Sequence, residues 1–388
     1  MAWKVCSLMV QRDEFIEWCL AGELSMAEIC RRFGIARKTG YKWLKRYRES
    51  GKDGLSDRSR RPVKSPHRVK ESLEQEVLVL RSRHPAWGGR KIRRRLSDLG
   101  KGVCSASTVT AILRRHDRID PAQSERREAW RRFEYEAPNE LWQIDFKGHF
   151  PLSLGGRCHP LTVLDDHSRY AIVLKGCADE RGETVRRHLT EAFERHGLPR
   201  RMLCDNGPPW GSIGTQGWDQ YTPLTLWLLR LGIEVMHGRP YHPQTQGKEE
   251  RFHATLVSEV LRWQTFEDVP ASQKAFDPWR TIYNTERPHE GIGLAVPASR
   301  YRPSPRAFPK VLPEMIYGQR DVVRKVSDHH GILLHGKRYG IGRPFCGQWI
   351  ALRPTPVDGL WDVYYCHQRI GRLDERTGQA MSRDIQNL

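Results

Sequence analysis

Long apolar runs are missing from this 388-residue chain. Stretches such as Leu224-Thr-Leu-Trp-Leu-Leu229 fall well below the roughly 20 residues of a membrane-spanning helix, so no helical membrane span and no membrane partner are expected. The opening Met1-Ala-Trp-Lys-Val-Cys-Ser-Leu-Met-Val10 is too short an apolar patch for a secretory signal. Closely spaced cysteine pairs are missing too. The nine cysteines are scattered, which argues against a disulfide framework and for free thiols in a reducing, cytoplasmic compartment. Acid is in short supply: 46 Asp and Glu stand against 65 Lys and Arg, for a formal net charge of +19.

That charge is concentrated. Residues 1–135 hold 32 Lys and Arg against 17 Asp and Glu, whereas the remainder holds 33 against 29. A surplus gathered in the first third fits a polyanionic partner, double-stranded DNA, and a nucleoid-associated location. The same third carries helix-turn-helix patterns. Arg12 to Ala21 reads as a helix, and Ser25 with Glu28 forms a capping box for the next. Gly34 turns the chain into a third helix, Ala36 to Arg48. That helix presents Arg37, Lys38, Thr39, Lys42, Lys45 and Arg46, donors suited to phosphates and to guanine edges in the major groove. A second unit follows, with helices over Glu71 to Arg83, Arg90 to Leu99 and Ser105 to His116, the last capped by Ser107-Thr108. Between the two units lies a Gly-, Ser-, Pro- and Arg-rich segment with few apolar residues to pack. It is either a tether or a basic arm whose Arg60 and Arg61 enter a minor groove.

From about Glu140 the pattern changes to strands. Trp142, Ile144 and Phe146 alternate with Gln143, Asp145 and Lys147. Two apolar, β-branched runs, Cys158 to Leu164 and Tyr170 to Leu174, flank Asp165-Asp-His-Ser-Arg169, which reads as a tight hairpin. Alternating helices and strands then reach a helix that starts at Gly247, the order of an α/β layered domain. Three acidic residues stand out: Asp145 and Asp205 at the ends of apolar stretches, and Glu250 at the start of that last helix. Carboxylates so placed can converge on two divalent cations about 4 Å apart, an arrangement that activates an attacking oxygen and stabilises a leaving one at phosphorus.

The segments Trp-Gln-Ile-Asp145, Leu164-Asp-Asp-His-Ser-Arg-Tyr170, Asp205-Asn-Gly207 and Tyr241-His-Pro-Gln-Thr-Gln-Gly-Lys-Glu-Glu250 together resemble the catalytic core shared by retroviral integrases and many bacterial insertion-sequence transposases. Tyr283-Asn-Thr-Glu-Arg-Pro-His289 and Pro297-Ala-Ser-Arg-Tyr301 resemble the landmark that closes this core in the bacterial branch. The resemblance implies a ribonuclease-H-like fold whose Asp145, Asp205 and Glu250 are both catalytic and metal-binding, with two Mg2+ or Mn2+ ions per active site. It further implies a polynucleotidyl transferase that cleaves element ends at terminal inverted repeats, joins them to target DNA, and works as a homo-oligomer of at least two copies. The zinc-binding module of retroviral integrases is absent.

Glu249 rivals Glu250, since successive helix residues point about 100° apart and only one can face the metals; the family spacing from Gly247 selects Glu250. Where many relatives carry a basic residue about two turns later, this chain has Val257, which leaves Lys248 and Arg251 as the expected cations at the DNA end. Asp205 and Glu250 lie 45 positions apart, longer than the family's usual interval, the excess falling in Trp210 to Trp218 as a Gly-rich surface insertion. His242 and Gln244 are placed to touch substrate, and Asn206 to hold its turn.

Short strands between Asp321 and Leu373, with a hairpin turn at Gly336-Lys337, read as a small β-barrel. The expected layout is therefore a helix-turn-helix domain (1–50), a basic linker (51–69), a second helix-turn-helix domain (70–117), a linker (118–138), the ribonuclease-H-like core (139–300), a linker (301–318) and the barrel (319–388). Rival readings are a helix-turn-helix DNA-binding regulator with an inactive core and a nuclease for RNA–DNA hybrids. Paired sequence-reading units disfavour the second, and an intact triad the first.

Overall fold

The structure, a computed structural model, describes residues 8–57, 69–102, 104–119, 134–211, 217–237 and 247–382. The chain divides into two compact units, Met1–Arg68 and Val69–Leu388, and no helix among the described residues is long and apolar enough to cross a membrane.

The first unit is three helices, α1 (Leu8–Ala21), α2 (Met26–Arg32) and α3 (Arg37–Ser50), around Phe15, Ile16, Ile29, Cys30, Trp43 and Leu44. Ser25 caps α2 by accepting the Glu28 N–H at 3.3 Å, while the Glu28 carboxylate pairs with Arg31 and Arg32 instead of returning to the cap. Gly34 makes the turn at φ +64°. The unit runs on through a 3-10 turn, Gly51–Leu55, into the segment expected as linker. Leu55 is fully buried there, and its carbonyl accepts from Arg12 at 2.7 Å. Arg60 and Arg61 lie outside the described residues.

The second unit begins with α4 (Glu71–Arg83), α5 (Gly89–Asp98) and α6 (Ala106–Arg115), packed around Val77, Trp87, Ile92, Leu96, Val109 and Ile112. The cap of α6 is Ser105, whose Oγ accepts the Thr108 N–H at 3.1 Å, and not the expected Ser107-Thr108.

The central sheet then forms from β1 (Leu141–Phe146), β2 (Phe150–Pro151), β3 (Arg157–Asp165), β4 (Ala171–Cys177), β5 (Arg201–Cys204) and β6 (Glu234–His237). Its order is β4-β3-β1-β5-β6, with β2 also on β3; β4, β3 and β1 are antiparallel, and β5 and β6 run parallel to β1. Helices α7 (Gly182–His196) and α8 (Pro223–Arg230) cover the face of Trp142 and Ile144. Helices α9 (Gly247–Leu256) and α10 (Val269–Thr285) cover the other, through Phe252, Leu256, Phe276 and Trp279. Alternation on β1 thus puts Trp142 and Ile144 on one face and Gln143 and Asp145 on the other, where Gln143 is buried under the second helix layer.

The Tyr283–His289 landmark is a clip. Asn284 bonds both the N–H and the carbonyl of Ala171 on β4, at 2.8 and 3.1 Å, and Arg287 pairs with Glu259 beyond α9 at 2.9 Å. The segment expected as the linker 301–318 is strapped to the core. Tyr301 stacks on Tyr170 at 4.2 Å, and Arg306 donates to the carbonyls of Pro199 at 2.5 Å and Gly232 at 2.8 Å.

The C-terminal part corrects the barrel. Strands β7 (Val322–Lys325), β10 (Trp349–Pro354), β11 (Leu360–Tyr365), β12 (Gln368–Asp374) and β13 (Gln379–Ser382) form an open antiparallel sheet, and β8 (Gly331–Leu334) and β9 (Lys337–Gly340) a separate hairpin. No closed barrel forms among the described residues, because β7 and β13 remain edges and the apolar face joins the core cluster of the central sheet. The hairpin turn sits at His335-Gly336, one residue earlier than expected, with φ +47° and +79°. Positive φ at both places is the mark of a type I′ two-residue turn, whose twist matches that of the flanking strands.

Candidate active site

Parallel pairing of β1 with β5 sets Gln143 beside Leu203. Continuing that register by two residues brings Asp145 and Asp205 side by side at the ends of adjoining strands. Burial and the neighbouring Asp205 push the Asp145 carboxyl up to about 7, with Glu180 and Glu250 adding to the rise. Burial likewise pushes Asp205 up to about 6, against the pull of the Gly207 N–H, which donates to its Oδ1 at 3.2 Å. These are like charges held where water screens them poorly. Glu250, exposed on the first turn of α9, is close enough to Asp145 to be felt electrostatically.

Glu249 occupies a different place. It is 1% exposed, its Oε2 lies 3.0 Å from Thr162 Oγ1, and burial, with the nearby Asp145 adding to it, drives its carboxyl well above the usual range. Thr162, opposite Asp145 in the sheet register, also meets His253 Nε2 at 2.9 Å. His253, one helical turn on from Glu249, sets Nδ1 4.0 Å from Asp145 Oδ2, and burial lowers its pKa to about 4. Asp145 is thus backed by a neutral imidazole, while the rival Glu249 is committed to the interior.

Sequence reasoning missed Glu180, which follows β4 and raises both Asp145 and Asp205. Its Oε1 is held by His159 Nδ1 at 2.7 Å. The only local signal was an acid just beyond a strand end, as common in turns as in sites. His253 had a helical signal, the i, i+4 spacing from Glu249.

Lys248, expected at the DNA end, instead places its ammonium on buried Asp166. Arg251 is exposed on α9. Asp165 serves the hairpin, accepting from Ser168 N at 2.8 Å and from Asn139 N at 2.7 Å. His242 and Gln244 fall outside the described residues. The expected surface insertion is anchored at both ends: Trp210 is buried against Phe146 and Trp218 against Phe345. In the first unit, α3 exposes Arg37, Lys38, Lys42 and Lys45, with Thr39 and Arg46 half-buried. Lys42 and Arg46 lean on the Trp43 ring at 4.8 and 5.0 Å.

As they stand, no three His, Cys, Asp or Glu side chains among the described residues close on a metal. The chemistry of the donor set nevertheless fits a divalent cation. Asp145, Asp205 and Glu250 offer hard oxygens, and the two raised carboxyls are relieved when a cation neutralises them.

Models of known families match successive parts of the chain. A helix-turn-helix domain matches residues 11–62 and a homeodomain-like domain 39–113. Integrase core domains match 135–243 and 231–297, and the IS481 family transposase C-terminal domain matches 321–381. Among curated proteins, the insertion element IS407 uncharacterized 31.7 kDa protein of Burkholderia multivorans is 29% identical over 182 residues, 45% of this chain and 62% of that protein. The insertion element IS476 uncharacterized 39.2 kDa protein of Xanthomonas euvesicatoria is 27% identical over 252 residues, 63% and 69% respectively. The chain therefore spans less than two thirds of the first relative's length. Among solved structures, a chain of a simian T-cell lymphotropic virus intasome aligns at 17% identity and TM-score 0.37, over 76% of this chain and 98% of that one. The HTLV-2 integrase catalytic core domain in complex with magnesium aligns at 14% and 0.31, over 42% and 97%. Both are too distant to transfer geometry.

Proposed function

Because the chain belongs to the bacterial insertion-sequence transposases that carry an integrase-type core, we propose that it binds the terminal inverted repeats of its own element and catalyses metal-dependent DNA cleavage and strand transfer there, using Asp145, Asp205 and Glu250. The observation that carries this reading is the pair of carboxylates that the strand register sets at adjoining strand ends, both raised, with Glu250 felt by Asp145. When bound, two Mg2+ or Mn2+ ions supply the positive charge that activates an attacking oxygen and stabilises a departing one at phosphorus.

The chain's own residues do the rest. Asp145, Asp205 and Glu250 hold the ions. Thr162 and His253 fix Asp145 from behind, and Glu180 adds negative charge beside both aspartates. Water attack at the element end breaks a P–O3′ bond and leaves a 3′-hydroxyl. That hydroxyl then attacks a target phosphodiester in line, forming one P–O bond as another breaks. Arg37, Lys38, Thr39, Lys42, Lys45 and Arg46 on α3 bind the end sequence, Arg60 and Arg61 extend that contact, and Arg251 lies at the DNA end beside Glu250. Joining two ends to one target calls for a homo-oligomer of at least two copies.

The test incubates the full-length protein with Mg2+ or Mn2+ and a duplex carrying its element end. Asp145→Asn and Asp205→Asn are expected to lower nicking and joining by about a thousandfold or more while end binding survives. Wild type that neither nicks nor joins, with Asp145→Asn indistinguishable from it, rejects the proposal and favours a DNA-binding regulator.

A further inference from the structure

Lys248 and Asp166 stand outside the chemistry above, yet they are joined at the heart of the core. Asp166, just past β3, is 1% exposed. Its Oδ1 accepts from Gln143 Nε2 at 2.7 Å and from the Lys248 ammonium, and its Oδ2 accepts the Tyr135 N–H at 2.9 Å. Gln143 lies two residues before Asp145 on β1, so both belong to one face of the strand. Lys248 is in the first turn of α9, with 16% of its side chain exposed. The next residue, Glu249, is tied to Thr162.

Two consecutive residues of one helix are therefore held at two points of β3 and its turn, Asp166 and Thr162. Successive helix residues diverge by about 100°, so once positions 248 and 249 are committed, the direction of 250 is set. A lysine kept for phosphate contacts stays in water with its counterions. This one is spent on a carboxylate in the interior, and removing either member leaves the other charge buried without its partner.

We infer that Lys248 and Asp166 form a positioning pair that fixes the roll of α9, holding Glu249 in the interior against Thr162 and leaving Glu250 on the exposed side of the site, and that Lys248 is not a DNA contact. The inference rests on the transposase reading only for what Glu250 does once it is in place.

Lys248→Met, Lys248→Arg, Asp166→Asn and the double variant Lys248→Met/Asp166→Asn are compared with wild type in the full-length protein. Three properties are measured: Mn2+ binding by calorimetry without DNA, binding of an end-bearing duplex across a salt series, and hydrogen exchange at the α9 amides. Lys248→Met and Asp166→Asn are expected to weaken Mn2+ binding by about tenfold or more and to speed exchange at 247–253. DNA affinity and its salt slope stay as in wild type. The double variant is no worse than the poorer single one, and Lys248→Arg recovers most of the Mn2+ binding.

Unchanged Mn2+ affinity and α9 exchange in Lys248→Met overturn the inference. So does a loss of DNA affinity with the salt slope shallower by about one, the mark of a phosphate contact. If Asp166→Asn does not fold, the two Lys248 variants carry the test. Wild type that binds no Mn2+ and joins no DNA sinks the transposase reading instead. In that case exchange at α9 still decides whether the pair holds the helix.

Discussion

Asp145 and Asp205 are half-buried side by side, and their protonation is coupled to folding. Both are raised from an ordinary value of 3.8, to about 7 and about 6. A group whose pKa rises on folding binds its proton more tightly in the native state. Its contribution to stability is complete below about pH 4 and is lost as pH climbs through 6 to 7. In chelator, the second unit is therefore expected to melt at lower temperature at pH 8 than at pH 5. Mg2+ is expected to restore more of that loss at pH 8, where both carboxylates are free to bind it. Asp145→Asn is expected to flatten the pH dependence and recover on the order of 2 kcal/mol at pH 8. A thermal series in chelator from pH 4 to 8 checks this, and a flat wild-type profile counts against it.

At the scale of the element, α3 and α9 show two ways in which a helix is fixed. Helix α3 approaches α1 and α2 so closely that a Cβ at Gly40 meets Cys30 Sγ at 2.5 Å and Phe15 Cζ at 3.0 Å. Glycine there trades helix propensity for contact. Gly40→Val is expected to destabilise the first unit by about 2 kcal/mol through overpacking, read as lost amide protection over 8–55 with 69–382 unchanged. Helix α9 adds polar ties at Lys248 and Glu249 to its apolar contacts at Phe252 and Leu256, and beyond them it relaxes into a π turn at Val257–Leu261. That turn ends the apolar face of the helix: Val260 is still buried, whereas Trp263 is 63% exposed.

Across the whole second unit, both flanking parts are built onto the central sheet. The second helix-turn-helix meets α10 and the turn after it through Arg95 and Glu286 at 2.7 Å, Arg90 and Glu290 at 3.9 Å, and Ile282 against its core. The C-terminal sheet closes over β6, where Gln368 takes the Val235 N–H at 3.1 Å and returns a bond to its carbonyl at 3.3 Å, capping an edge strand with a side chain. Trp218 fills the space above Gly371, lying 2.0 Å from where a Cβ there falls. Gly371→Val is expected to unseat that sheet, exposing the 301–318 strap to limited proteolysis under conditions where wild type resists. Equal resistance in the variant shows that the contact is not needed.

By itself, the sequence determined what depends on neighbours a few residues away. Helix periods, the Ser25 cap, the Gly34 turn, the alternation on β1 and the strand ends carrying Asp145 and Asp205 all follow from such local rules, and most elements lie where those rules place them. Only the tertiary structure decided which surfaces meet. Lys248 found a buried aspartate instead of solvent, Glu249 went inward while Glu250 stayed out, and Glu180 came up beside two aspartates. Trp210 and Trp218 became anchors, and the apolar face of the last sheet was covered by the core instead of closing on itself. The physical reason is range. Caps and periodicity act within a turn or a strand pair, whereas desolvation and the choice of partner are set by residues tens to hundreds of positions away.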